Sequence, residues 1–335
     1  MSEGSEGQYW VGFDLGGTKM LAQVYDSELK PLGRDRRKTK AASGSGGGLE
    51  RITETIDSAL ESAGVKREQI SGIGIGCPGP VDMAEGIVLN PPNLNWAEVP
   101  VGKKLQEEFN CRLGVRNDVD SVVYAEYVFG AGKGARCLVG VFPGTGVGGG
   151  CVYKGEIFHG AHVTCMEIGH LQIMPEGPLC GCGRRGCLEA VASRLSIAAN
   201  AAKAAYRGEA PYVKDKAGTD ISDIRSSVLA DAITAGDAVI EQLVREAARQ
   251  IGVAVGGIVH ILGPDVIVLG GGLVEAMPEL FVDQVSKSAR KRVMAAYKDK
   301  FKVCASELED DAVPLGAAAW ARHKFAESPE PVPVS

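Results

Sequence analysis

Residues 180–187 read CGCGRRGC and place Cys180, Cys182 and Cys187 together, out of nine cysteines in the chain. Thiols grouped so closely pair as a disulfide, exchange electrons or hold a metal. Redox exchange favours C-x-x-C, and this stretch does not contain it. An odd cysteine total argues against a complete disulfide framework. The N-terminus, MSEGSEGQYW, has no basic region and no apolar run. It predicts no signal peptide, hence a cytoplasmic protein with reduced thiols.

Two glycine turns carry a second kind of chemistry. FDLGGTK (Phe13 to Lys19) and GTGVGG (Gly144 to Gly149) each follow an apolar run and lead into another. Neither is a nucleotide loop of the common kinds. A Walker loop needs G-x-x-x-x-G-K-[ST] opening a helix, and the dinucleotide G-x-G-x-x-G also opens a helix. Here both turns open strands. Each exposes backbone N–H groups, to which Thr18 and Thr145 add hydroxyls, so two facing hairpins can clamp a chain of phosphates. Taken singly, either turn reads equally well as an ordinary tight hairpin.

A carboxylate at the start of a helix is suited to taking a hydroxyl proton, and Asp118 in VRNDVDS holds that position beside Asn117. It serves equally well as a helix cap, and the residues alone leave both roles open. Side chains that bond two hydroxyls at once suit a sugar, and MEIGH offers Glu167 and His170 while CLEA offers Glu189. Glu189 also reads as an acid favoured by the dipole of the helix it begins.

The elements that must position these groups follow from periodicity. Tyr9 to Asp14, Gly16-Gly17 and Met20 to Tyr25 predict a hairpin. Leu49 to Ala63 has helical spacing, and Ile70 to Cys77 and Arg112 to Arg116 read as strands. Asp118 to Phe129 predicts a helix. A second round begins at Cys137, with a strand to Phe142, a glycine turn and a return strand over Cys151 to Phe158. Helices are expected at 188–206, 226–235, 237–262, 278–296 and 315–325, and strands at 266–269 and 302–305. Gly44 to Gly48 reads as a flexible loop, Arg34 to Lys38 as a solvated turn, and the tail 327–335 as disordered. The strand–turn–strand pattern recurs after about 125 residues, which suggests two related α/β domains.

With 335 residues, 45% of them apolar, two cores are expected. A net charge of -6 gives no electrostatic footprint for nucleic acid. No run of apolar residues is long enough to span a membrane.

DLGGTK, GTGVGGG, EIGH and CGCGRRGCLEA, in this order and spacing from about Val11 to Ala321, resemble the ROK family of sugar kinases and repressors. The resemblance implies a two-domain hexokinase/actin-like (ribonuclease H-like) α/β fold with a ligand cleft between domains. Residues 1–130 would form the first domain, completed by a C-terminal helix at 314–326, and 131–313 the second. The resemblance places ATP phosphates on Asp14, Gly16, Gly17, Thr18 and Lys19 and on Gly144, Thr145 and Gly146. It places Gly270, Gly271 and Gly272 under the adenosine and Asp14 near Mg²⁺. Asp118 becomes the catalytic base, and Asn93, Asn117, Asp118, Glu167, His170 and Glu189 ring the sugar. His170, Cys180, Cys182 and Cys187 form a closed set of one nitrogen and three thiolates, which suits structural Zn²⁺.

The activity implied is ATP-dependent phosphorylation of glucose, with another ROK sugar kinase or a non-catalytic regulator as alternatives. Family repressors carry a DNA-binding segment ahead of the first turn, and the ten residues here count against that alternative. The family tends to homodimers or homotetramers. Two departures stand out. Arg116 replaces a usual acid beside the Asn-Asp pair and would lower the Asp118 pKa if near. Met166 stands before Glu167, where the family commonly has Gly.

Overall fold

The computed structural model describes residues 8–39, 44–91, 94, 96–161, 163–308 and 311–326. Asn93 and the tail 327–335 lie outside the described residues. The strands are β1 (Tyr9–Leu15), β2 (Lys19–Tyr25), β3 (Pro31–Lys38), β4 (Ile70–Cys77), β5 (Val81–Asp82), β6 (Ile87–Val88), β7 (Leu113–Asn117), β8 (Cys137–Pro143), β9 (Val147–Tyr153), β10 (Glu156–Ile157), β11 (Val266–Leu269) and β12 (Lys302–Ala305). The helices are α1 (Gly44–Ala63), α2 (Val101–Phe109), α3 (Asp118–Phe129), α4 (Leu188–Ala192), α5 (Arg194–Arg207), α6 (Pro211–Ala217), α7 (Ser226–Thr234), α8 (Ala238–Leu262), α9 (Gly272–Ala276), α10 (Pro278–Arg290) and α11 (Ala312–Ala326). The chain divides into two compact units. One is Met1–Lys133 with Ile157–Cys165 and Leu308–Ser335, and the other is Gly134–Glu156 with Met166–Glu307.

In the first unit the sheet order is β3-β2-β1-β4-β7. The first three strands are antiparallel, and β4 and β7 run parallel to β1. Alternate residues of β1 and β2 (Val11, Phe13, Leu15; Met20, Ala22, Val24) join Ile52, Ile56 and Leu60 of α1 in one buried cluster. Period 2 on the strands meets period 3.6 on the helix. On β1 and β4, Gly12 and Gly74 leave room for the C-terminal helix. A Cβ at Gly12 would overlap the Pro314 carbonyl, and one at Gly74 the Ala317 carbonyl. That close approach brings α11 back onto the sheet where the chain began.

The second unit repeats the order as β10-β9-β8-β11-β12, with β8 and β9 antiparallel and β8, β11 and β12 parallel. Its core is lined by one face of α8 (Val244, Ala248, Ile251, Val255, Val259), spaced by three and four residues.

Four local expectations are corrected. Gly44 to Gly48 is not a loop but the opening of α1; Gly48 packs against Trp96 and Leu49 is buried, so tertiary contact outweighs glycine's low helix propensity. Arg34 to Lys38 is not a turn but part of β3, paired from Arg34↔Gln23 to Lys38↔Lys19. Its charges suit a sheet edge. The single helix expected over 188–206 breaks at Ser193, whose extended backbone (φ -73°, ψ 160°) restarts the chain as α5. Residues 157–165, expected in the second domain, pack with the first unit, and the Thr164 N–H donates to the Val81 carbonyl at 3.2 Å.

Candidate functional site

In the first unit, the ends of parallel strands gather the acidic groups. Asp14 on β1 is in register with Gly76 on β4, and Cys77, the next residue, is in register with Asn117 on β7. Asp118 follows as the first residue of α3. The Cys77 thiol is fully buried and pushed well up, first by burial, then by Asp118 and Asp14, with Arg116 opposing. Both carboxylates therefore act on one point.

Asn117 is the cap of α3. Its Oδ1 accepts from the N–H groups of Val119 (2.8 Å) and Asp120 (3.3 Å), and its Nδ2 donates to the Gly79 carbonyl (3.1 Å). The helix start is thus capped by the residue before Asp118, although Asp118 Oδ1 also accepts from Val119 N–H at 2.9 Å. Arg116 stacks over the Trp320 ring, 3.6 Å from its centroid, and donates to the Val115 carbonyl at 2.7 Å.

The tip between β1 and β2 is pinned by a residue with no sequence signal. Thr39 donates its N–H to the Thr18 carbonyl (2.9 Å) and its Oγ1–H to the Gly16 carbonyl (2.6 Å). Lys19 and Asp14 line a cavity of about 260 Å³ with Met20, Leu21 and Arg36.

The second unit has its own turn, closed by the Gly144 N–H donating to the Gly146 carbonyl at 2.9 Å. Glu189 Oε2 accepts the Val147 N–H at 3.1 Å and lies directly over Gly146. A Cβ there would overlap the carboxylate. Gly146→Ala is therefore expected to lower stability by about 1–3 kcal/mol through overpacking. A thermal melt checks this, and an unchanged midpoint would show that the carboxylate yields freely. Gly270-Gly272 ends β11, the strand beside β8, and Gly271 (φ 79°) turns the chain into α9 near the Pro143 carbonyl.

Glu167 and His170 flank one short 3-10 turn, with the His170 N–H donating to the Glu167 carbonyl at 3.0 Å. The Glu167 carboxyl is raised from its ordinary range by desolvation, opposed by His170 and reinforced by Glu189. Met166, just before it, adopts φ 60°. That left-handed backbone favours glycine and costs a bulky residue about 1–3 kcal/mol. Packing of the Met166 side chain on the second unit's core offsets that cost.

The Cys180 Sγ stands 3.7 Å from His170 Nδ1, and the sulfurs of Cys182 and Cys187 are 3.7 Å apart. All four ligand atoms lie within 4.8 Å of one another. A tetrahedral zinc with Zn–S near 2.3 Å and Zn–N near 2.0 Å requires S···S of about 3.8 Å and S···N of about 3.5 Å. The residues fit that ion in type and spacing. Cys182 is lowered to about 7, chiefly by the Arg184 N–H, whereas burial pushes Cys187 up to about 12. A bound cation is what would ionise the remaining thiols together. Glu189 Oε1 lies 3.9 Å from Cys180 Sγ, so the same carboxylate touches both the cysteine cluster and the glycine turn.

The ROK family model matches residues 10–324. This chain belongs to the ROK family. The ROK chain is 32% identical to a glucokinase of Thermotoga maritima, over 94% of its own length and 98% of that protein's. A xylose repressor of Caldicellulosiruptor bescii is 29% identical over 84% of this ROK chain and 70% of the repressor. A solved ROK family glucokinase from Streptomyces griseus, in complex with glucose and AMPPNP, superposes with a TM-score of 0.80 at 30% identity, over 94% of this chain and 99% of that one. The fold is the hexokinase–actin type of the ROK sugar kinases. Among the described residues, no helix is long and apolar enough to cross a membrane.

Within the first unit, Asp14, Asn117 and Asp118 come together at the strand ends. Within the second, the Gly144–Gly146 turn, Glu167, His170, Glu189 and the three cysteines form a second group. Sequence reasoning missed Thr39 and Arg194. The backbone N–H of Arg194 donates to the Gly144 carbonyl at 2.8 Å, and its Nη2 to Thr145 Oγ1 at 3.3 Å.

Proposed function

We propose that this ROK protein transfers the γ-phosphoryl group of ATP to the 6-hydroxyl of glucose. The observation that carries the reading is Asp118: a carboxylate at the first turn of α3, on a helix already capped by Asn117. The names of its relatives point the same way.

Phosphoryl transfer asks little covalent chemistry of a protein and much alignment and charge neutralisation. The 6-hydroxyl oxygen bonds to the γ-phosphorus as the bond to the β–γ bridging oxygen breaks, and Asp118 accepts the hydroxyl proton. The first turn of α3 holds that carboxylate where the helix dipole favours its charged form. Glu167, His170 and Glu189 are the groups assigned to sugar hydroxyls, with Asn117 capping the helix that Asp118 begins. The backbone N–H groups of Thr145 and Gly146, at the tip of the turn that the Gly144 N–H closes, receive phosphate oxygens, and Lys19 adds charge. Mg²⁺, when bound near Asp14, supplies further positive charge to the phosphates. His170, Cys180, Cys182 and Cys187 would hold zinc, which would supply a cross-link between the Glu167 segment and the Glu189 segment. His170 meets that cluster through Nδ1, which leaves Nε2 to the sugar.

A panel of hexoses with Mg-ATP tests the reading. Glucose is expected to give the highest kcat/KM. A large preference for fructose, mannose or an N-acetyl sugar would overturn the choice of substrate within the family. Sugar binding with no ADP formed would favour the regulator reading, which the repressor likeness keeps open.

A further inference from the structure

Arg194 stands at the first position of α5, a helix of 14 residues. A cation is disfavoured there, because the helix dipole presents its positive end. No carboxylate lies within ion-pair distance of Arg194 among the described residues. Its Nη1 is buried and, among the described residues, has no hydrogen-bond partner. Burying one guanidinium N–H without a partner costs free energy, and an anion on the neighbouring turn would offset that cost. The remaining donors show where that anion belongs. The Arg194 N–H holds the Gly144 carbonyl and Nη2 reaches Thr145 Oγ1, so two bonds from one residue grip the turn from the side of α5. Glu189 holds the next residue of the same turn through the Val147 N–H.

We propose that Arg194 is a positioning residue for the phosphates of the nucleotide. It keeps the Gly144–Gly146 turn in the shape whose N–H groups receive phosphate oxygens, and its uncompensated charge favours the negative load on that turn. This rests on the assignment of the nucleotide to the turn made above. The bonds to Gly144 and Thr145 set geometry, and the missing counter-ion explains why a cation is kept at an unfavourable helix end. Arg194→Ala would leave the backbone bond and lose both the Thr145 contact and the charge.

The test compares a nucleotide with its phosphate-free core. Affinities of AMPPNP with Mg²⁺ and of adenosine are measured by calorimetry or competition for the unaltered chain, Arg194→Ala and Arg194→Lys. Arg194→Ala is expected to weaken AMPPNP about tenfold and adenosine less than about twofold. Arg194→Lys, which keeps the charge, is expected to stay within about threefold of the unaltered chain for AMPPNP. Unchanged AMPPNP affinity in Arg194→Ala overturns the inference alone. So does a parallel loss of AMPPNP and adenosine, which would mark a role in folding only. Arg194→Lys no better than Arg194→Ala overturns the part played by charge. Failure of the unaltered chain to bind AMPPNP would overturn the nucleotide assignment and the inference with it. Should Arg194→Ala not fold, Arg194→Met keeps the packing of the stem and is held to the same outcomes.

Discussion

Asp118→Asn is expected to lower kcat by about two to four orders of magnitude while sugar affinity stays within a few-fold. The exchange keeps the shape of the side chain and removes only its capacity to accept a proton. Its fold should survive because α3 is capped by Asn117, whose Oδ1 accepts from Val119 and Asp120 N–H. A cap is worth about 1 kcal/mol, and this one is untouched by the substitution. A thermal midpoint near that of the unaltered chain, together with sugar binding followed by fluorescence, separates lost chemistry from lost structure. Turnover within about threefold of the unaltered chain would clear Asp118 of the role of base.

The unaltered chain is expected to retain about one zinc, and Cys187→Ser is expected to abolish that retention. Loss of an outer partner of a metal ligand already costs about 10–100-fold in affinity or activity, and loss of a direct ligand should exceed that. Cys187 is buried, and its sulfur lies 3.7 Å from Cys182. Without the cation, its thiol resists ionisation, being held at about 12. The consequence should reach the glycine turn, because Glu189 contacts Cys180 on one oxygen and the Val147 N–H on the other. Metal analysis after passage over a chelating resin reads the first effect, and sugar and AMPPNP titrations read the second. Full retention of zinc in the variant, or unaltered affinities in the metal-free protein, would reduce the cluster to an incidental feature.

The two hairpins were legible because apolar runs flank glycine-rich tips at Gly16-Gly17 and at Gly144-Thr145-Gly146, and that pattern is local. The helix at Asp118–Phe129 was legible for the same reason: Asn-Asp begins it and apolar residues recur along it. The cysteine cluster was legible from ligand type and from the family resemblance. Elements that depend on distant partners were not. β3 reads as a charged turn until its pairing with β2 is seen, and α1 begins at Gly44 because Trp96 lies against Gly48.

Within the site the same division holds. The sequence by itself determined which chemical groups exist, namely carboxylates, thiols, an imidazole and backbone N–H groups at two turns, and the order in which they occur. It could not separate Asn117 from Asp118 as the helix cap, since neighbouring residues compete for one position and a turn of backbone decides between them. Nor did it show that Arg116 lies on Trp320, that Met166 takes a left-handed backbone, or that Glu189 bonds the Val147 N–H. Only the tertiary structure settled these: Arg116 meets Trp320 and Glu189 meets Val147 across tens to hundreds of residues, and Met166 turns its backbone where its side chain packs on the core. Sequence periodicity reports which face is buried, and it carries no information about what waits on that face.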